Sequence, residues 1–287
     1  MESMGLGYNA LRKQLETLIL ANNILHYHNV VDAYGHVSLR HPEKPDVFIM
    51  SGDKAPALVS SQSDLIPYYV SDASPIDPSS KKGYQERFIH SEIYKRFPHI
   101  NSVVHSHSDA VLPYTMSGVP MKPTFHIAGF LGTHVPTFDL TPHYKPSQQQ
   151  DMLINSKSFG ASLASKFSAE GSTNQDHTVV LMTSHGFTAV GTSIKQAVYR
   201  AIYTHVNAGI QTNALLSRNA SVNRNSNSSP STPIEDMKYL TEEQVAGSLK
   251  MNDASQDRPW ALWAKEVEAC PLYSKTSKAL VVEKRFL

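Results

Sequence analysis

Residues 103–110 read VVHSHSDA, a pair of β-branched residues followed by two histidines two positions apart. β-Branched side chains suit extended backbone, and in a strand alternate side chains share a face. His105 and His107 therefore point the same way, with Val104 and Ser106 opposite. Their Cα atoms lie about 6.6 to 7 Å apart, at a rise of about 3.2 to 3.4 Å per residue. Two imidazoles so placed can converge on one cation. A chain with 14 histidines also produces such a pair by chance, so the reading turns on what flanks it.

Working outward, YQERFIHSEIYKRF (residues 84–97) carries Phe88, Ile89, Ile93 and Phe97 at helical spacing and stops at Pro98. A helix thus runs straight into the histidine strand. Residues 33–50, AYGHVSLRHPEKPDVFIM, read as two short strands broken by Pro42, Pro45 and Asp46. Leu11, Leu15, Leu18, Ile19 and Leu25 predict an opening amphipathic helix over residues 9–28. Residues 51–83, rich in Ser, Pro and Asp, read as a loop region with short strand pieces. Downstream, residues 110–139 are interrupted by four prolines and read as short strands and loops, and residues 150–168 as a helix. TVVLMTSHG (residues 178–186) is a buried-strand run ending at glycine. Ser193 and Gln196 then form a capping box that opens a helix through about residue 216. Helices and strands in this order predict a sheet covered by helices, with the strand sense left open.

The length allows one core, or one core with an appendage. Residues 217–235 are polar and Asn/Ser-rich, which predicts a disordered linker between a body (residues 1–216) and a helical C-terminal extension (residues 236–287). Trp260 and Trp263 share one face of that extension, so it should dock on the body or on a neighbouring subunit. A formal net charge of +1 gives no electrostatic bias toward nucleic acid or a membrane. No run approaches the roughly 20 apolar residues of a membrane span. The single cysteine, Cys270, excludes an intrachain disulfide framework and a multi-cysteine zinc site. It fits a reducing compartment, and the cytoplasm is the expected location.

A divalent metal wants three or four protein ligands, and two further candidates stand near the pair. His185 ends the late strand just before Gly186, and Glu86 starts the helix that precedes the HxH strand. Read singly, Glu86 is also a favourable helix-start carboxylate. The segments DAYGHVSLR, ERFIHSEIYKRFPHINSVVHSHS, FHIAGFLG and LMTSHGFTAVGTSIKQAVYRAIYTHVNA together resemble the class II aldolase/adducin family over roughly residues 10–215. In that family a Glu lies 19 residues before the first His of an HxH pair, as Glu86 does before His105, and a third His precedes a Gly. The resemblance implies an α/β fold, a three-layer α/β/α arrangement with a mainly antiparallel central sheet. It implies a metal held by Glu86, His105, His107 and His185, with Zn2+ as the leading ion and Mn2+ or Fe2+ as the others. It also implies a homotetramer with active sites between neighbouring subunits, working on a small-molecule substrate.

The sugar-phosphate members carry GN-x-S and a Ser-Ser pair, where this chain has Gly35-His36-Val37-Ser38 and Tyr84-Gln85-Glu86. The chain resembles more closely the branch of aromatic and pyridine dicarboxylate decarboxylases, although Gly52-Asp53-Lys54 follows Ser51 where that branch has an Arg. The implied reaction is cleavage of a C–C bond, by decarboxylation or retro-aldol chemistry, through an enolate stabilised by the metal. Glu86 and His126 are the expected proton-transfer groups. His36, Ser38, Ser51, Lys54 and Arg87 are the expected substrate-binding groups, and His90, four residues after Glu86, is expected to support the ligands from behind. An iron-dependent oxygenase and a non-catalytic adducin-like interaction protein are the alternatives on the same scaffold.

Overall fold

The computed structural model describes residues 2–225, 235–273 and 282–287. In chain order the elements are α1 (Glu2–Tyr27), β1 (His36–Arg40), β2 (Val47–Ser51), β3 (Leu65–Tyr69), α2 (Arg87–Arg96), β4 (Ser102–Ser106), α3 (Leu112–Met116), β5 (Thr137–Phe138), α4 (Lys157–Ala164), β6 (Val179–Met182), β7 (Gly186–Gly191), α5 (Ile194–Asn225), α6 (Glu242–Asp253) and α7 (Asp257–Ala269). The strands form a 7-stranded sheet in the order β3-β2-β1-β4-β7-β6-β5. Only the short β5–β6 pair is parallel, so the sheet is mainly antiparallel as the resemblance implied.

Alternation along the strands divides the core into two apolar layers. Val37, Leu39, Val104, Phe187 and Ala189 pack with the apolar faces of α1, α5 and α7. Phe48, Met50, Val103, Val180 and Val190 pack with α2 and α4. Helices therefore cover both faces, giving three layers. No helix among the described residues is long and apolar enough to cross a membrane.

Several expectations are corrected by the structure. Residues 150–156 are not helical; α4 begins only at Lys157, capped by Ser156. The strand expected to end at Gly186 instead turns back as β7, and His185 sits in the resulting hairpin turn. Of the Ser193/Gln196 capping box, Ser193 accepts from the Gln196 amide, while the Gln196 side chain reaches back to Thr192 instead of Ser193. The helix that follows runs past residue 216 to Asn225, because extending a formed helix costs far less than nucleating one. Residues 217–225 are thus helix and not linker, and the rest of the expected linker, residues 226–234, lies outside the described residues. Trp260 and Trp263 are buried in the same apolar cluster as α1 and α5, with Trp263 edge-on to His28.

Gly186 begins β7 with φ 146°, a backbone conformation that other residues rarely adopt. A Cβ there would stand 2.0 Å from the Ser106 carbonyl oxygen, which is backbone and cannot swing away. Gly186→Ala is expected to lower the thermal unfolding midpoint sharply, by far more than the few degrees of a neutral surface substitution. A midpoint within about two degrees of the parent in differential scanning calorimetry would contradict this.

Candidate metal centre

Strand pairing does the first part of the assembly. His36 of β1 lies opposite His105 of β4, and His105 lies opposite Thr188 of β7, so these three side chains form a row across the α2 face of the sheet. His107 follows directly after β4, and its Nε2 reaches within 2.9 Å of His105 Nε2. The β6–β7 hairpin turn delivers His185 over the same spot. The three ring centroids form a near-equilateral triangle with sides of 4.8, 4.9 and 5.0 Å.

Glu86 completes the group from the N-cap of α2, where its side chain makes no capping bond. Its Oε1 instead accepts from the Ile154 amide at 3.0 Å and lies 3.4 Å from His185 Nε2. Its Oε2 lies 3.5 Å from His105 Nε2 and 3.8 Å from His36 Nε2. One donor atom from each of Glu86, His105, His107 and His185 falls within 4.8 Å of the others. Burial alone would raise the Glu86 carboxyl, but His105, His185 and His36 overcome it and hold the group well below the usual carboxylate range. Burial pushes His105 far down and His107 down to about 4, so both imidazoles are neutral at pH 7, the form that binds metal. Three imidazoles and one carboxylate, buried or half-buried and clustered about one point, fit a divalent cation.

The group opens onto a cleft of about 370 Å³, lined in part by Tyr34, His36, Tyr84, Gln85, Glu86, His107 and Leu153. An exposed Lys82–Asp53 ion pair, 3.0 Å long, stands at its rim.

Of the expected substrate-binding residues, only His36 faces this cleft. Ser38 is fully buried, bound to His90 Nδ1 at 2.6 Å and to the Tyr94 hydroxyl at 2.7 Å. Ser51 is likewise fully buried, near the Tyr84 phenol and outside the cleft lining. Lys54 is tied to Asp64 at 2.8 Å, and the lysine that lines the cleft is the exposed Lys82 instead. Arg87 points away: its guanidinium braces the preceding loop through the Ala73 and Tyr84 carbonyls, forming neither a substrate clamp nor the helix-surface ion pair. His126 is exposed in a separate groove beside Tyr199, Tyr203 and Leu262, and its carbonyl is held by Ser248 and Asn252 of α6. Within the chain it is not brought to the metal centre.

His90 is bonded to His36 and Ser38 and not to a member of the metal-site group, with its Nε2 2.7 Å from His36 Nδ1. The sequence reading missed Tyr94, whose signal was available: residues 86, 90 and 94 recur at helical spacing on one face of α2. It also missed Thr188, because β7 was not recognised as a strand, and the Ile154 amide, which no side-chain pattern announces.

Comparison with known proteins agrees with this geometry. The profile of the class II aldolase and adducin N-terminal domain matches residues 16–212. The chain is 48% identical over 261 residues to decarboxylase tropJ of Talaromyces stipitatus, covering 91% of this chain and 96% of that one. It is 26% identical to the 3,4-dihydroxyphthalate decarboxylase of Arthrobacter keyseri, over 68% of this chain and 76% of the relative. L-Fuculose 1-phosphate aldolase from Glaciozyma antarctica superposes with a TM-score of 0.66 at 19% identity, over 93% of both chains, a likeness of fold. The chain belongs to the class II aldolase and adducin family.

Proposed function

We propose that the protein is a divalent-metal-dependent carbon–carbon lyase, acting as a decarboxylase on a small, oxygenated aromatic carboxylic acid. The observation that carries this reading is the convergence of Glu86, His105, His107 and His185, from three separate segments, with Glu86 and His107 lining the cleft. Two relatives named as decarboxylases, one at 48% identity over nearly the whole chain, favour decarboxylation over retro-aldol cleavage.

Glu86, His105, His107 and His185 would hold the ion, and Zn2+ suits this donor set. When bound, the ion would supply a Lewis acid that stabilises negative charge developing on a substrate oxygen. The protein supplies the rest. Breaking the bond to the carboxylate leaves an electron pair on the substrate carbon, and a proton must replace the departing CO2. Glu86 is the candidate to deliver it, being a carboxylate that both lines the cleft and belongs to the metal-site group. Glu86 is held ionised, so it would first accept the proton, from solvent or a substrate hydroxyl, and then pass it on; the Ile154 amide fixes Oε1 and keeps the carboxylate's direction constant. Leu153 and the Tyr84 ring line the wall and exclude water, and Tyr84 gives its own hydrogen to the Lys54 carbonyl at 2.6 Å. The same reading places the protein in the cytoplasm as a homotetramer, with the clefts near neighbouring subunits.

The protein as isolated should contain one divalent ion per chain by elemental analysis, and His105→Ala should contain almost none. Release of CO2 from 3,4-dihydroxybenzene carboxylic acids should stop with chelator and fall more than about 100-fold in His105→Ala, beyond the cost of losing an outer-shell partner. Formation of an aldehyde without CO2 would overturn decarboxylation, and full activity without metal would overturn the whole reading.

The metal-free protein should also respond to acid in a defined way. His107 titrates near 4 when folded and near 6.5 when unfolded, so between these values the unfolded chain binds more protons. Stability is therefore complete above about 6.5 and is lost as pH falls toward 4. The depressed Glu86 carboxyl adds a loss in the same direction at lower pH. Urea denaturation at a series of pH values checks this, and a stability that rises on acidification from pH 7 to 5 would contradict it.

A further inference from the structure

Behind the metal centre lies a row of buried polar groups that the proposed chemistry leaves unused. The Tyr94 hydroxyl meets the Ser38 hydroxyl at 2.7 Å, Ser38 meets His90 Nδ1 at 2.6 Å, and His90 Nε2 meets His36 Nδ1 at 2.7 Å. All four residues are at most 1% exposed. Burial keeps the Tyr94 phenol protonated and His90 neutral. The Tyr94 and Ser38 hydroxyls and neutral His90 then each have one hydrogen to give, and the place of the His90 hydrogen, on Nε2 or on Nδ1, divides the possible arrangements into two senses.

In the first sense Tyr94 donates to Ser38, Ser38 to His90 Nδ1, and His90 Nε2–H to His36 Nδ1. The remaining hydrogen of His36 then sits on Nε2. In the second sense His36 Nδ1–H donates to His90 Nε2 and His90 Nδ1–H to Ser38; the single bond between Ser38 and Tyr94 then uses one of their two hydrogens and leaves the other over. Neither hydroxyl has another acceptor among the described residues: Ser38 Oγ bonds to Tyr94 and His90 alone, and the Val103 backbone N–H acts on the Tyr94 oxygen as a donor. The second sense therefore strands a buried O–H, an expensive arrangement. The other end of the row gives the same answer independently. His36 Nε2 is buried, has no hydrogen-bond partner within 3.5 Å, and faces Glu86 Oε2 at 3.8 Å. A carboxylate only accepts, so a lone pair on Nε2 would face another lone pair, whereas a hydrogen there is attracted.

We infer that the row Tyr94–Ser38–His90 locks His36 in the tautomer with its hydrogen on Nε2, making it a donor that positions the Glu86 carboxylate and not a fourth imidazole ligand. This rests on the proposed reading of Glu86 as a metal-site residue. It gives Ser38 a part it plays from behind the site, through two imidazoles, without touching substrate. It also separates His36 from His105, although the two lie side by side on neighbouring strands with centroids 5.1 Å apart.

The test is nitrogen-15 NMR of the full-length, metal-free protein labelled at its histidines, with His36 assigned by the signals missing in His36→Gln. The expected spectrum shows a protonated, pyrrole-type Nε2 and a bare Nδ1 for residue 36. In Tyr94→Phe, which removes the terminal donor, the two tautomers should mix. Hydrogen on Nδ1, alone or on both nitrogens, would overturn the inference from the wild-type spectrum, even if Tyr94→Phe fails to fold. A Zn2+ titration supplies the second readout. His36→Ala should weaken affinity about 10- to 100-fold, the usual cost of losing such a partner, while still binding one ion per chain. His36→Gln, which keeps an N–H, should recover most of that affinity. Equal losses in both variants, or a fall in stoichiometry, would overturn the inference. A wild-type protein that binds no Zn2+ would instead remove the proposed function and leave the tautomer assignment to stand on the metal-free spectrum.

Discussion

His105 is held between His36 and Thr188 by antiparallel pairing on both sides, and this register sets the positions of nearly everything in the candidate site. A strand has a period of two, so a slip of one residue would turn His105 and His107 into the layer shared with α1 and α5. Val103 and Val104 guard against that slip, because each is fully buried in a different apolar layer. The histidine strand is therefore fixed by hydrophobic packing before any metal is considered.

The second constraint is the helix that follows the cleft rim. Glu86, His90 and Tyr94 project from successive turns of one helix, so the placement of α2 against the sheet sets the carboxylate and the polar row behind it together. Arg87 anchors the start of that helix to the loop before it by bonding two backbone carbonyls. A guanidinium used in this way stiffens the approach of Glu86 with no direct part in binding.

Much of this was legible in the sequence, and the failures have physical causes. The helices with strong apolar periodicity, α1 and α2, and the β-branched strands β2 and β4 follow from side-chain pattern alone. The four metal-site candidates were legible because their residue types are scarce and their spacing matches a known family. The placement of Ser38, Ser51, Lys54 and Arg87 outside the cleft lining was not legible because it depends on neighbours distant in sequence: His90, Tyr84, Asp64 and the Ala73 carbonyl. A hydroxyl or a cation carries no sign of whether it meets a substrate or the protein's own backbone. β7 was missed because GFTAVG is short and opens on glycine, and its burial comes from two neighbouring strands and not from its own composition. The extension of α5 through an Asn/Ser-rich stretch reflects helix propagation, which composition understates.

The sheet itself acts as a partition. The candidate site and its supporting row occupy the α2 face, whereas the tryptophans of α7 and the long helices α1 and α5 fill the opposite layer. Changes confined to one layer have few partners in the other, so their energetic effects should sum independently. Natural drift in the tail-covered half can thus retune thermal robustness while selectivity evolves separately across the strands. Gly186 leaves no room for a side chain against the segment that carries both histidines of the HxH pair, since a Cβ there would meet the Ser106 carbonyl oxygen and the His107 Cα.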